Sequence, residues 1–188
     1  MAKVAMILGE QFEDSELRIP YDRLRQAGHQ VTIIGVQAGR MLRGKKGKEK
    51  VLSDLSIDRA KASDFDGLVI PGGYSPDHLR TSVEMVRFTR EMFLAGKPVA
   101  AVCHGPSMLV EADVLDGLMV TSWPSVRTDL INAGARWVDQ EVVEDGNLIT
   151  SRRPEDLEAF SAAILRALER EVAMHEPSSV SPEPASVH

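Results

Sequence analysis

Apolar runs of four to six residues recur along the chain, and a polar turn and an amphipathic stretch follow most of them. KVAMIL (3–8), QVTIIGV (30–36), DGLVIPGG (66–73), PVAAVC (98–103) and LMVTS (118–122) each predict a buried strand. Between them, apolar residues fall at helical spacing. The pattern predicts helices from about Ser15 to Ala27, from Ser82 to Ala95, over 105–112 and over 126–134. Gly28, Gly96 and Gly134 stop the first, second and fourth of these, Asp14 or Ser15 caps the first, and Pro20 predicts a kink within it. Thr81 to Glu84 reads as a capping box for the second. Residues 37–58 read as a hairpin excursion. Asp145-Gly146 predicts a tight hairpin between two β-prone runs. A last helix starts at Pro154 and lines up Leu157, Phe160, Ile164 and Leu168.

Strands alternating with helices predict an α/β domain: a mostly parallel sheet with helices on both faces. Chemistry in such sheets gathers at the carboxyl ends of the strands. The loops after Leu8, Ile70, Cys103 and Ser122 are therefore expected to meet.

The length of 188 residues suits one domain, read as residues 1–172, and the Pro-, Ser- and Glu-rich 173–188 is expected to be a disordered tail. A net charge of −6 argues against general nucleic-acid binding, because phosphates are repelled. The apolar start is too short for a membrane span or signal peptide, and the single cysteine makes no internal disulfide. Both features lead to the expectation of a cytoplasmic protein. The histidines show no metal-ligand spacing, so neither metal nor cofactor is expected.

The single cysteine is where the chemistry concentrates. Ala101-Val102-Cys103-His104-Gly105 has the strand–turn–helix arrangement of a nucleophile elbow, with cysteine at the nucleophile position. Small residues on either side let strand and helix close around a sharp turn. The N-terminus of the following helix favours a thiolate, and His104 supplies a base or a positive charge. A lone cysteine is also commonly a small buried hydrophobe, and the Gly-Pro that follows decides for the elbow. Gly72-Gly73 after the third strand offers backbone N–H groups for an oxyanion. Glu13, in the loop after the first strand, is the candidate acid, expected to hold a proton beside the sulfur. Its plain alternative is a helix N-terminal acid serving the dipole, a role for which Glu10, Asp14 and Glu16 are equally available, so the sequence alone does not select Glu13. Gly39 to Lys45 matches most of a phosphate-binding loop, but Lys46 stands where Ser or Thr should hold magnesium. The basic 40–50 segment is therefore read as a solvated hairpin.

The segments EQFEDSEL, VIPGGYSPDHLR, GKPVAAVCHGPSML, TSWPSVRTDLINAGARWVD and DGNLITSRRPEDL resemble the intracellular protease I (PfpI) branch of the ThiJ/PfpI family, over about Ala2 to Leu168. The resemblance implies a flavodoxin-like three-layer sandwich. It implies Cys103 as nucleophile, His104 as its partner, Glu13 as the buried acid touching the sulfur, and the amides of Gly73 and His104 as the oxyanion hole. It further implies a carboxylate that reaches across to the histidine of a neighbouring subunit. Asp77 matches that position, where the branch usually has glutamate, so a homodimer or larger homo-oligomer is expected. Trp123 stands in the pocket where the branch often has tyrosine, beside Gly72.

The expected activity is that of a cysteine-nucleophile enzyme of the stress response. It would act on reactive carbonyls or on glyoxal and methylglyoxal adducts of proteins, or on peptide bonds. The alternative is a non-enzymatic oxidative-stress sensor or chaperone that uses an oxidisable Cys103.

Overall fold

The computed structural model describes residues 1–175. Its strands are β1 (Lys3–Ile7), β2 (Gln30–Gly35), β3 (Met41–Arg43), β4 (Lys50–Leu52), β5 (Leu55–Ser56), β6 (Gly67–Ile70), β7 (Val99–Val102), β8 (Met119–Val120), β9 (Arg136–Trp137), β10 (Val142–Asp145) and β11 (Leu148–Ser151). Its α-helices are α1 (Asp14–Gln26), α2 (Ser75–Leu79), α3 (Val83–Leu94), α4 (Ser107–Glu111), α5 (Arg127–Asn132) and α6 (Leu157–His175). Seven strands form the main sheet in the order β10-β11-β7-β6-β1-β2-β5. All neighbours run parallel except the β10–β11 hairpin, which turns at Gly146-Asn147, one residue beyond the expected Asp145-Gly146 because Asp145 pairs with Leu148.

Alternation along the strands divides the core. Val4, Met6, Val69, Ala100 and Val102 face one way and pack with Leu17 and Leu24 of α1 and Phe160 and Ile164 of α6. Ala5, Ile7, Leu68, Ile70 and Ala101 face the other way, onto Leu79, Met85, Phe88, Met108 and Leu130 of α2 to α5. The result is a flavodoxin-like three-layer α/β sandwich.

Several elements differ in detail from their expected form. β8 does not join the main sheet: it pairs with β9 as a small parallel sheet of its own. Polar bonds tie it to the main sheet instead, from the Met119 amide to Asp145 Oδ2 at 2.7 Å and from the Thr121 amide to Thr150 Oγ1 at 2.9 Å. α1 remains one helix through Pro20. Its cap position is Glu13, not Asp14 or Ser15, and the Glu13 carboxylate makes no capping bond because Lys45 and Lys46 hold it. The cap of α3 is Ser82, which accepts from the Met85 amide at 3.3 Å, one position beyond the expected box. The helix expected over 105–112 shortens to α4. α6 continues through Ala173–His175, three residues into the segment read as a tail. The remainder of that segment, 176–188, lies outside the described residues. None of the described helices is long and apolar enough to cross a membrane.

Short bonds gather the loops at one end of the sheet. Glu13 N–H donates to Gly72 O at 3.2 Å, Tyr74 N–H to Gln11 O at 2.9 Å, and Trp123 N–H to Cys103 O at 3.0 Å. The loops after β1, β6, β7 and β8 thus meet around residue 103.

Candidate active site

Cys103 follows directly on β7 and has φ of +63°, in the left-handed region that a non-glycine residue occupies at a cost of about 1–3 kcal/mol. Its surroundings enforce this bend. The Cys103 amide donates to Ser151 O at 3.0 Å, and Gly105 N–H reaches back to Val102 O at 2.8 Å. A Cβ on Gly105 would lie 2.4 Å from Ile70 O, so only glycine lets the turn close. A Cβ on Gly72 would meet Glu16 Oε2 at 2.5 Å and the Cys103 Cβ at 3.0 Å. The glycine loop after β6 is therefore pressed against the elbow.

The sulfur is buried, with Cys103 only 7% exposed. His104 Nδ1 lies 3.3 Å from Sγ, and His104 Nε2 lies 3.2 Å from Ser125 Oγ. Burial, helped by the charge of Lys45, pushes the imidazole below its ordinary pKa, so it is neutral at physiological pH. The tautomer that serves as a base donates Nε2–H to Ser125 and turns the Nδ1 lone pair toward the sulfur.

The carboxyl group at the sulfur belongs to Glu16, and the expectation for Glu13 is corrected. Glu16 is fully buried, and its Oε2 accepts the Gly72 N–H at 2.7 Å. Burial foremost, and then the nearby charge of Glu13, raise its pKa to about 8, so it carries a proton at neutral pH. Its Oε1 has no hydrogen-bond partner of regular geometry among the described residues. That oxygen is the natural seat of the proton, and the Cys103 thiol is the polar group with which the carboxyl interacts.

Glu13 is also buried, 3% exposed, but it is an anion. Its Oε2 lies 2.8 Å from Lys45 Nζ and its Oε1 2.7 Å from Lys46 Nζ. Burial pushes Glu13 up, yet the bonds and charges of the two ammonium groups outweigh it and hold the carboxyl below its usual range. The segment read as a solvated hairpin thus delivers two lysines to the site. It folds as β3–β4, whose turn is fastened by Asp14: Oδ2 accepts from the Lys46 amide at 2.9 Å, and Oδ1 from the Lys48 and Glu49 amides at 2.8 Å each.

A readily ionised thiol, expected from a helix N-terminus, is opposed by the surroundings. Burial pushes the Cys103 thiol up, and the charge of Glu16, when present, adds to this; the His104 amide and Lys45 pull the other way. α4 begins only at Ser107 and has five residues, so its partial charge does not overcome burial. Proton transfer from Sγ to His104 Nδ1 is the route to the thiolate that this geometry offers.

The remaining candidates are placed as follows. The Gly73 amide donates to no carbonyl among the described residues, and the His104 amide pulls the Cys103 thiol down. Trp123 is 39% exposed, and its backbone bond to Cys103 O sets it beside the elbow. Asp77 is exposed on α2, and within one chain His104 Nε2 is met by Ser125 instead. Among the described residues, no three His, Cys, Asp or Glu side chains form a group able to hold a metal ion.

Three residues around the sulfur were not picked out by the sequence. Glu16 had a signal: it lies on the same stripe as Pro20 and Leu24, which marks a carboxylate on the buried face of α1. Ser125 and Lys45 had none, because tertiary contacts alone bring them to the site.

The DJ-1/PfpI family model matches residues 2–167. The chain is 48% identical over 167 residues to "Protein/nucleic acid deglycase 2" of Escherichia coli (strain K12), covering 88% of this chain and 97% of that one. It is 46% identical over 166 residues to "Putative cysteine protease YraA" of Bacillus subtilis (strain 168), covering 88% and 98%. The crystal structure of Drosophila melanogaster DJ-1beta superposes with a TM-score of 0.81 at 33% identity, covering 92% of this chain and 94% of that one.

Proposed function

This chain belongs to the DJ-1/PfpI family, and from that premise we propose that it is a Cys103-dependent deglycase that releases small dicarbonyls from amine adducts. The observation that carries the reading is the contact of 3.3 Å between Cys103 Sγ and His104 Nδ1, beside the protonated Glu16. His104 takes the thiol proton as sulfur bonds to the carbinol carbon of a methylglyoxal–amine adduct. The C–N bond breaks, and the amine leaves with that proton. The thiohemiacetal left on sulfur becomes a lactoyl thioester as the proton on carbon 1 moves to carbon 2 and the proton of the carbon 1 hydroxyl moves to the oxygen on carbon 2. Water then cleaves it. The net change is adduct plus water to free amine plus lactate, with no redox partner. The amides of Gly73 and His104 are the donors for the oxyanion.

A peptidase reading asks more of the site. An amide leaving group requires an aligned acid, and the carboxylate meant to orient His104, Asp77, does not reach it within one chain. Asp77 is exposed on α2, which suits our further proposal that it acts across a homodimer or larger assembly. A peroxide-sensor reading is disfavoured, because burial raises rather than lowers the Cys103 thiol.

The test compares wild type with Cys103→Ser on methylglyoxal-treated N-acetyl-arginine and on casein, measuring lactate and new amine termini. Lactate from the wild type alone is the expected result. Equal turnover by both proteins refutes the nucleophile. Light scattering that finds only monomer refutes the role of Asp77.

A further inference from the structure

We propose that the β3–β4 hairpin positions the oxyanion donor: through residues 11–13 it fixes the Gly73 amide beside Cys103, and Lys45 and Lys46 lock that strap by holding Glu13. The inference rests on the reading above, in which this amide faces the oxyanion, and adds the residues that aim it.

Residues 11–13 act as a short middle strand. On one side Gln11 N–H donates to Arg43 O at 2.8 Å and Lys45 N–H donates to Phe12 O at 2.8 Å, which pairs Phe12 in parallel with Gly44. On the other side Tyr74 N–H donates to Gln11 O at 2.9 Å and Glu13 N–H donates to Gly72 O at 3.2 Å, which pairs Phe12 antiparallel with Gly73. In an antiparallel pair bonded through its flanking residues, the N–H and C=O of the pair itself point away from the partner strand. The Gly73 amide is therefore held on both flanks and yet donates to no carbonyl among the described residues. The approach leaves no room for a side chain, since a Cβ on Gly73 would lie 2.4 Å from the Glu13 nitrogen and 2.6 Å from Gln11 O. Gln11 itself takes φ of +57°, a strained conformation for a non-glycine residue that the bonds on both sides impose.

Side chains lock what the backbone pairs. Glu13 ends the strap, and its carboxylate lies 2.8 Å from Lys45 Nζ and 2.7 Å from Lys46 Nζ. Those lysines stand on a turn whose Lys46, Lys48 and Glu49 amides Asp14 holds. The Glu13 and Asp14 carboxylates balance the two ammonium groups, so the lock works by holding and not by a net charge. Gly72 is held from α1 as well, because its N–H donates to Glu16 Oε2 at 2.7 Å. An oxyanion donor works only when it is already aimed at the place where the charge develops, and small misplacements are costly.

Two variants break the lock with opposite changes of charge: Glu13→Gln, and Lys45→Met combined with Lys46→Met. In each, lactate release from methylglyoxal-treated N-acetyl-arginine is compared with alkylation by iodoacetamide of Cys103, the chain's only cysteine. Both reactions need the thiolate and only the first develops an oxyanion, so the ratio of kcat/KM to the alkylation rate cancels thiol ionisation. The ratio is expected to fall about tenfold in both variants with KM little changed, a part of the roughly 10²- to 10³-fold that one oxyanion donor supplies. Lys45→Arg combined with Lys46→Arg keeps the ion pairs and is expected to restore the ratio, and Lys48→Met, on the same turn, to leave it unchanged. Unless both lock variants fall, charge acts and not the clamp, and the proposal is overturned; an equal fall in Lys48→Met overturns it too. Should either lock variant not fold, Lys46→Met decides. Its ammonium is half exposed and Lys45 still holds Glu13, so a fall of about threefold that Lys46→Arg restores is expected, and no fall overturns the proposal. Hydrogen exchange of the Tyr74 amide, read by NMR, reports the clamp without activity. It is expected to be about tenfold faster in the lock variants and unaltered in Lys48→Met, and equal protection throughout overturns the coupling. A wild type and variants with that exchange pattern but no lactate refute the deglycase reading and leave the hairpin's hold on the glycine loop standing.

Discussion

Replacing Glu16 with glutamine tests the central electrostatic claim. Glutamine keeps the shape and an oxygen to accept the Gly72 N–H, but it does not titrate. In wild type the folded carboxyl titrates near 8, raised by burial from an ordinary 4.5. The folded state therefore binds a proton that the unfolded state has already released over this range. The stability associated with that proton is fully present below 4.5 and is lost as pH rises toward 8. The loss is about 1.4 kcal/mol per pH unit, or about 5 kcal/mol across the interval. Urea unfolding at closely spaced pH values measures it. Other groups titrate in both proteins, so the quantity of interest is the difference between the two curves. Glu16→Gln is expected to approach and then exceed wild-type stability as pH rises from 5 to 8. Parallel curves over that range would refute the claim that a buried, protonated Glu16 sits at the sulfur.

Gly105→Ala places a methyl group against the carbonyls of Ile70 and Val102, at 2.4 and 2.8 Å, where backbone cannot yield; a loss of about 3 kcal/mol or more is expected in chemical unfolding. His104→Ala removes the acceptor for the thiol proton and should lower the rate of lactate release by about 10²- to 10⁴-fold while the unfolding midpoint shifts little. Ser125→Ala deletes one neutral hydrogen bond to His104 and should cost about 1 kcal/mol in activation, roughly a fivefold fall in turnover. Asp14→Ala releases three backbone amides of the β3–β4 turn, so trypsin should cut at Lys45–Lys48 much faster than in wild type.

Strand and helix order, the elbow at Cys103 and the loops that meet above it were legible because each depends on neighbours in the chain. Alternating apolar runs, a cap, and a glycine where a turn must close are local matters. β8 was legible as a strand but not the sheet it joins, because membership depends on which strand lies beside it, and two side-chain bonds to Asp145 and Thr150 supply the link that strand pairing would have made.

The two glutamates show the division most clearly. The sequence by itself determined that a carboxylate would stand near the thiol, since FEDSE follows the first strand and begins the helix beneath it. It could not determine which. Glu13 and Glu16 lie one turn apart and are both buried, yet one is an anion and the other holds a proton. The reason is a hairpin some thirty residues further on, which brings Lys45 and Lys46 to Glu13 and brings none to Glu16. Protonation depends on the charges and the water within a few ångströms, and only the tertiary structure decides those.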